Sequence, residues 1–321
     1  MDIDVAYGNV PEQLPPSPVM AALDWFYDRL VLEDVDADQL WEKRGLTTAT
    51  AVAMGYRSGS KKNKDILLEM AEHFPPQVLL DAGLWTAGSR AGDPPKPNPQ
   101  LHGLAIVERR DPATGKKVRD ADGEVVKDLE WGDPGPMLIP YFNRSNQLVH
   151  IRPHKGMLRD KTPHLYAVRP PGRPANGPRP KYAVITESEF KAAAVWQVMG
   201  EDCTVAGLPG ITMAKLLQGD VEEWLETTET RMVIIAYDNE DKSNPALASY
   251  QEDKWKRYPA QIWARFLAAR LSREGYDARV CTLPAEWRDE KAFLILFEPK
   301  VQHEFRQWRW ETPRGFRRLW F

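Results

Sequence analysis

Two short acidic runs, Glu187-Ser188-Glu189 and Asp238-Asn239-Glu240-Asp241, have the residue types needed to hold a divalent cation. Each follows directly on an apolar segment. The first segment is Tyr182-Ala183-Val184-Ile185-Thr186 and the second Arg231-Met232-Val233-Ile234-Ile235-Ala236-Tyr237, both strand-like in length and rich in β-branched side chains. Carboxylates converging at neighbouring strand ends repel one another unless a cation sits between them. Oxygen donors without His or Cys favour magnesium or manganese over softer metals. Solvated loop carboxylates give the same pattern, because strand ends are often acidic, and the spacing alone leaves both readings open.

The elements that would position these acids follow from periodicity. From Ser188 the chain turns helical, with Phe190, Ala193, Ala194 and Val198 at spacings of three and four until Gly200 stops it. Strand, helix and second apolar strand make a βαβ unit, and the continuous apolar runs suit a parallel sheet buried on both faces. In open α/β sheets ligands bind outside the carboxyl ends of the strands, where both acidic runs would lie. Just upstream, residues 144–191 carry ten Lys and Arg against Asp160, Glu187 and Glu189 alone. Such a surplus on a nearly neutral chain is the footprint expected for a phosphate backbone or nucleoside triphosphates, and a solvated basic loop is its bland counterpart. Arg152, Lys155, Arg159, Lys161 and Lys191 are the candidate nucleic-acid and nucleotide contacts.

At this point the residues carry a resemblance. Ile185-Thr186-Glu187-Ser188-Glu189-Phe190-Lys191-Ala192 resembles the glutamate motif of Toprim domains, Glu-Gly-x-x-Lys/Asp-Ala, and Tyr237-Asp238-Asn239-Glu240 resembles their Asp-x-Asp motif. Asn244-Pro245 is similar to Toprim-like domains in replication proteins of phages, plasmids and other mobile elements. Ser188 stands where the family has glycine, and Glu240 where it has the second aspartate. Further upstream, Leu40-Trp41-Glu42-Lys43-Arg44-Gly45-Leu46-Thr47, then Gly55-Tyr56-Arg57 and Ala82-Gly83-Leu84, is similar to the N-terminal part of DnaG-type primase catalytic cores. The phrase Thr162-Pro163-His164-Leu165-Tyr166 matches their Thr-Pro-Lys-Tyr, with His164 in the place of lysine.

The resemblance spans residues 40–284. It implies an α/β fold: a Toprim sheet, Rossmann-like and parallel with helices on both faces, preceded by a mixed α+β primase-like subdomain. It implies a DNA primase that makes short RNA primers from nucleoside triphosphates on single-stranded DNA by metal-dependent nucleotidyl transfer. Glu187, Asp238 and Glu240 would be catalytic, and Glu187, Asp238 and Glu240 or Asp241 would hold magnesium or manganese. A separately encoded replicative helicase would be a partner, since no Gly-x-x-x-x-Gly-Lys-Ser/Thr motor motif exists in the chain. A Toprim nuclease shares the same acids, and a catalytically silent Toprim protein binding DNA or a replication partner would carry the same strands.

The 321 residues, 42% hydrophobic and 28% charged, suit a globular protein with more than one core, and the net charge of −3 excludes nothing. Only Cys203 and Cys281 are present, which removes a disulfide framework and a four-cysteine zinc site. His150, His154 and His164 lack zinc-site spacing. The start resembles no signal peptide and no run is apolar enough to span a membrane, so a cytoplasmic protein is expected. The expected organisation is an extended arm over residues 1–18, a primase-like subdomain over 19–175, Toprim over 176–284 and a basic, aromatic extension over 285–321. The arm has no cysteine and is too short for a zinc module, so a zinc-finger-free core is expected. Within the first subdomain, residues 87–135 read as a surface excursion of low secondary-structure content, with a hairpin over 109–126. The Arg and Trp tail at 305–321 suits stacking on single-stranded bases or a groove of its own domain.

Overall fold

The computed structural model of the chain describes residues 17–88, 93–111, 114–120, 125–131, 136–143, 147–154, 164–168, 180–200, 203–213, 217–237 and 259–281. Several expectations fall elsewhere: the arm before Ser17, Lys155, Arg159 and Lys161, the proline-rich 169–179, the acidic 238–241 with Asn244-Pro245, and the tail.

Three helices open the described chain, each bounded by local chemistry. α1 (Pro18–Tyr27) has Ser17 Oγ accepting from the Met20 amide at 3.3 Å, and proline in its first turn where a missing N–H is harmless. α2 (Asp34–Arg44) carries Asp34 and Asp36 at its start and Lys43 and Arg44 at its end, in keeping with the helix dipole, and stops at Gly45 with φ 65°. α3 (Thr48–Ala53) is capped by Thr47, whose Oγ1 accepts from the Thr50 amide at 3.1 Å. After β1 (Arg57–Ser58) come α4 (Asn63–Glu69) and α5 (Pro76–Asp81).

The excursion is more ordered than its composition predicts. β2 (Trp85–Thr86) pairs antiparallel with β3 (Lys96–Pro97), and β4 (Leu104–Glu108) pairs antiparallel with β5 (Lys127–Trp131) from Leu104↔Trp131 to Glu108↔Lys127. The regular ladder therefore flanks residues 109–126, which add the isolated bridges Arg110↔Lys117 and Arg119↔Val125. Proline and glycine counts hid an apolar run, Leu104-Ala105-Ile106-Val107, ending in two β-branched residues, that pairs as a strand.

β6 (Met137–Phe142) and β7 (Leu148–Pro153) form the expected hairpin, joined by β1 into a three-stranded antiparallel sheet. Ala22, Leu23 and Phe26 of α1 pack with Leu79, Leu138, Leu148 and Ile151 into one core beneath it. Emptying such a site, as Phe26→Ala would, costs about 3–5 kcal/mol.

The second sheet runs β12-β11-β9-β10-β8. Its strands are β8 (Tyr166–Val168), β9 (Tyr182–Thr186), β10 (Cys203–Gly207), β11 (Met232–Ala236) and β12 (Asp277–Val280). β9 lies at the centre, parallel to β10 and β11, and β12 is parallel to β11. One feature departs from an all-parallel expectation: β8 runs antiparallel to β10, Val168 opposite Val205. This edge strand buries Tyr166 and Val168 against the first module, a long-range preference that three residues do not advertise.

Alternation along β9 sends its side chains into two cores. Tyr182 and Val184 pack with α6 (Glu189–Met199) and with Leu46, Met54, Tyr56, Ile139 and Tyr141 of the first module. Ala183 and Ile185 pack with Val221 and Leu225 of α7 (Gln218–Thr228) and with Ala264, Leu267 and Leu271 of α8 (Pro259–Arg273). Helices thus cover both faces, and the core that contains Val184 continues without a break into the N-terminal module. Among the described residues no helix is long and apolar enough to cross a membrane.

Candidate active site

β9 and β11 end level with each other, Thr186 opposite Ala236, so Glu187 and Tyr237 leave the sheet from adjacent strands at its carboxyl edge. The tip of β9 is fixed by backbone. The Leu208 amide donates to the Thr186 carbonyl at 2.9 Å, and Thr186 Oγ1 donates to the Ser188 carbonyl at 2.9 Å. At the matching end of β10, a Cβ on Gly207 would sit 2.7 Å from the Ser188 carbonyl oxygen and 2.9 Å from its carbon. Only glycine permits that approach.

Ser188 itself is extended, φ −160°, a conformation open to any residue, and its Oγ accepts from the Lys191 amide at 3.4 Å as the cap of α6. The departure from glycine at this position is therefore sterically harmless.

Glu187 and Lys191 form an ion pair one helical turn apart, with side chains 11% and 18% exposed. Glu187 is the sequence-predicted carboxylate that the structure places at the sheet edge, and Lys191 is the predicted cation it brings beside it. Beyond it, burial pushes the Tyr237 phenol well above its ordinary range, and the Glu187 carboxylate adds to the rise. Tyr237 is followed at once by the second acidic run; Asp238, Glu240 and Asp241 lie outside the described residues, as do Lys155, Arg159 and Lys161.

Arg152, predicted as a phosphate contact, has protein partners in the structure. Its Nη1 donates to Glu189 and, at 3.5 Å, to Tyr141 Oη, while Tyr141 Oη donates to the same Glu189 carboxylate. Glu189 is 4% exposed. Burial would lower the Arg152 pKa, yet the Glu189 carboxylate and Tyr141 raise it overall. Burial, with Glu189 second, holds the Tyr141 phenol well above its usual range. Tyr56 Oη donates to the Glu189 carbonyl at 3.4 Å and receives a hydrogen bond from Tyr166 Oη at 3.2 Å. Sequence reasoning missed this network because its members come from four separated segments. The hairpin that supplies Tyr141 and Arg152 was visible; their partner 37 residues downstream of Arg152 was not.

Three imidazoles border the same seam, His150 against His164 with ring centroids 5.2 Å apart and His154 against Phe190 at 4.6 Å. Among the described residues no group of three or more His, Cys, Asp or Glu converges as for a metal. Glu187 places a carboxylate at the sheet edge beside a lysine, an oxygen donor of the kind hard divalent cations take.

No protein-family model and no curated protein matches the sequence. The fold, however, is similar to that of solved DnaG-type primase domains. The Aquifex aeolicus primase, zinc-binding and RNA polymerase domains, aligns over 90% of this chain with a TM-score of 0.53 and 13% identity. This chain spans 60% of the length of that protein. A DnaG primase catalytic domain bound to single-stranded DNA aligns over 91% of this chain and 79% of its own, with a TM-score of 0.49 and 17% identity. The primase fragment of the bacteriophage T7 primase-helicase protein aligns over 54% of this chain and 64% of its own, with a TM-score of 0.35 and 17% identity.

Proposed function

We propose that the chain is a DNA primase whose second sheet is a Toprim domain, making short RNA primers on single-stranded DNA by metal-dependent nucleotidyl transfer. The observation that carries this reading is Glu187, delivered by the central parallel strand to the carboxyl edge of the sheet and level with the strand that runs into Asp238. The fold likeness to the Aquifex aeolicus primase supports it. So does the glutamate motif, which keeps its acid while Ser188 replaces glycine without strain.

In this reading Glu187, Asp238 and Glu240 or Asp241 hold magnesium or manganese. When bound, the metal neutralises the triphosphate and stabilises the charge that develops as pyrophosphate leaves. Lys191, paired with Glu187, would supply a cation for substrate phosphate. Lys155, Arg159 and Lys161 supply further positive charge for template or triphosphate, whereas Arg152 serves the fold. Residues 19–175 then form the primase-like subdomain and 176–284 the Toprim domain of a cytoplasmic replication protein of phage, plasmid or mobile-element type. A separately encoded helicase is the partner this reading expects.

Incubation with labelled nucleoside triphosphates, magnesium or manganese and single-stranded templates tests the proposal. Template-dependent oligoribonucleotides are expected. Template cleavage instead would indicate a Toprim nuclease, and DNA binding without either product a silent binding protein.

A further inference from the structure

The contacts around Glu189 bear on a question the sequence left to Arg152, namely whether that arginine meets substrate. Glu189 is the first residue of α6 and lies deeper than Glu187, its side chain 5% exposed against 11%. A carboxylate that deep is tolerated only when its charge and lone pairs are answered. Its answer comes from β6 and β7, through Tyr141 and Arg152, and its own backbone carbonyl is held by Tyr56. The next residue, Phe190, is clasped by Tyr56 at a centroid distance of 5.4 Å and by His154 at 4.6 Å. The first turn of α6 is thus gripped from the hairpin side at two consecutive residues. Lys191 stands on the same turn and Glu187 immediately before its cap, with the Lys191 and Ala192 amides bonded back to Ser188.

We propose that Glu189 is a positioning residue that seats the first turn of α6, and with it Glu187 and Lys191, by its contact with Arg152 and Tyr141, and that Arg152 acts through Glu189 and not on substrate phosphate. This rests on the reading of Glu187 as the metal-holding carboxylate only for its effect on activity; the seating itself does not. A rotation of that turn would carry the Glu187 oxygens out of place while leaving triphosphate contacts on other segments intact. The expected signature is therefore a fall in turnover and in metal affinity larger than any rise in KM for nucleotides, to which only the displaced Lys191 contributes.

The test compares Glu189→Gln, Arg152→Gln and the double variant, in which two neutral amides replace the charges and no buried ion is stranded should a single variant fail to fold. Hydrogen exchange at the Lys191 and Ala192 amides should speed at least about tenfold in the double variant, with β10 amides unchanged. Mn2+ affinity, read by the resonance of the free ion, and kcat should each fall about tenfold, with KM within about threefold and the double variant no worse than the worse single one. Arg152→Lys, which keeps the charge, should restore most of both. Unchanged exchange at Lys191 and Ala192 would overturn the seating. An Arg152→Gln variant that raises KM about tenfold in both the wild-type and the Glu189→Gln background would overturn the second half and make Arg152 a phosphate contact. If the wild-type chain makes no primer and binds no Mn2+, the proposed function fails, while the exchange measurement still decides the seating.

Discussion

Glu187 and Glu189 stand two residues apart, each nearly buried and each paired with a cation, yet their pairs are built differently. Lys191, the partner of Glu187, sits four residues on, in the first turn of α6, on a flexible stem. Arg152, the partner of Glu189, arrives from another sheet with Tyr141 at its side. On the proposed function, the local pair can open for a metal without any element moving. The long-range pair cannot, since its atoms are also the contact between the β6–β7 hairpin and α6. One dipeptide step therefore separates a group suited to chemistry from a group suited to holding it in place.

The comparison breaks most visibly at Glu189. Glu189→Ala strands the Arg152 guanidinium, only 18% exposed, and should destabilise the protein by about 3–5 kcal/mol, read from denaturant unfolding. Glu187→Gln should do the opposite: primer synthesis falls roughly 10²-fold or more, a barrier of about 2.7 kcal/mol, with little change in the unfolding midpoint. Gly207→Ala sharpens the contrast, because its methyl would press on the Ser188 backbone at 2.7 Å; about 1–3 kcal/mol of stability should go, and activity with it. Lys191→Met should cost at most about 1 kcal/mol, since the pair is a single-turn contact, while flattening the salt dependence of single-strand or triphosphate binding. Smallest of all, Ser188→Gly should shift stability by only a few tenths of a kcal/mol and leave activity intact, because φ −160° places no demand on the residue.

What could be read from the sequence follows the same division between local and distant causes. The apolar run at Tyr182 to Thr186, the helix that ends at Gly200, the stop at Gly45 and the cap at Thr47 each depend on neighbours within a few residues, and the structure has them all. The β6–β7 hairpin was legible for the same reason, its strands flanking a polar turn. The antiparallel β8 was not, because three residues hold no period and its place is decided by Val205 some 37 positions on. Nor was the pairing of Arg152: nothing in the basic stretch around it points to the buried Glu189 that lies beside it. Gly207 gave no sign either, since the need for glycine there comes from the backbone of Ser188, the cap of α6 just past the end of β9.

The central claim is that Glu187 carries chemistry and not structure. The most direct measurement is primer synthesis on a single-stranded template by wild-type and Glu187→Gln chains at saturating magnesium, normalised to folded protein by thermal unfolding. The account predicts matched unfolding midpoints and a rate for the variant lower by roughly 10²-fold or more. Equal rates for the two chains would contradict it, and so would a loss of activity that only follows a loss of fold.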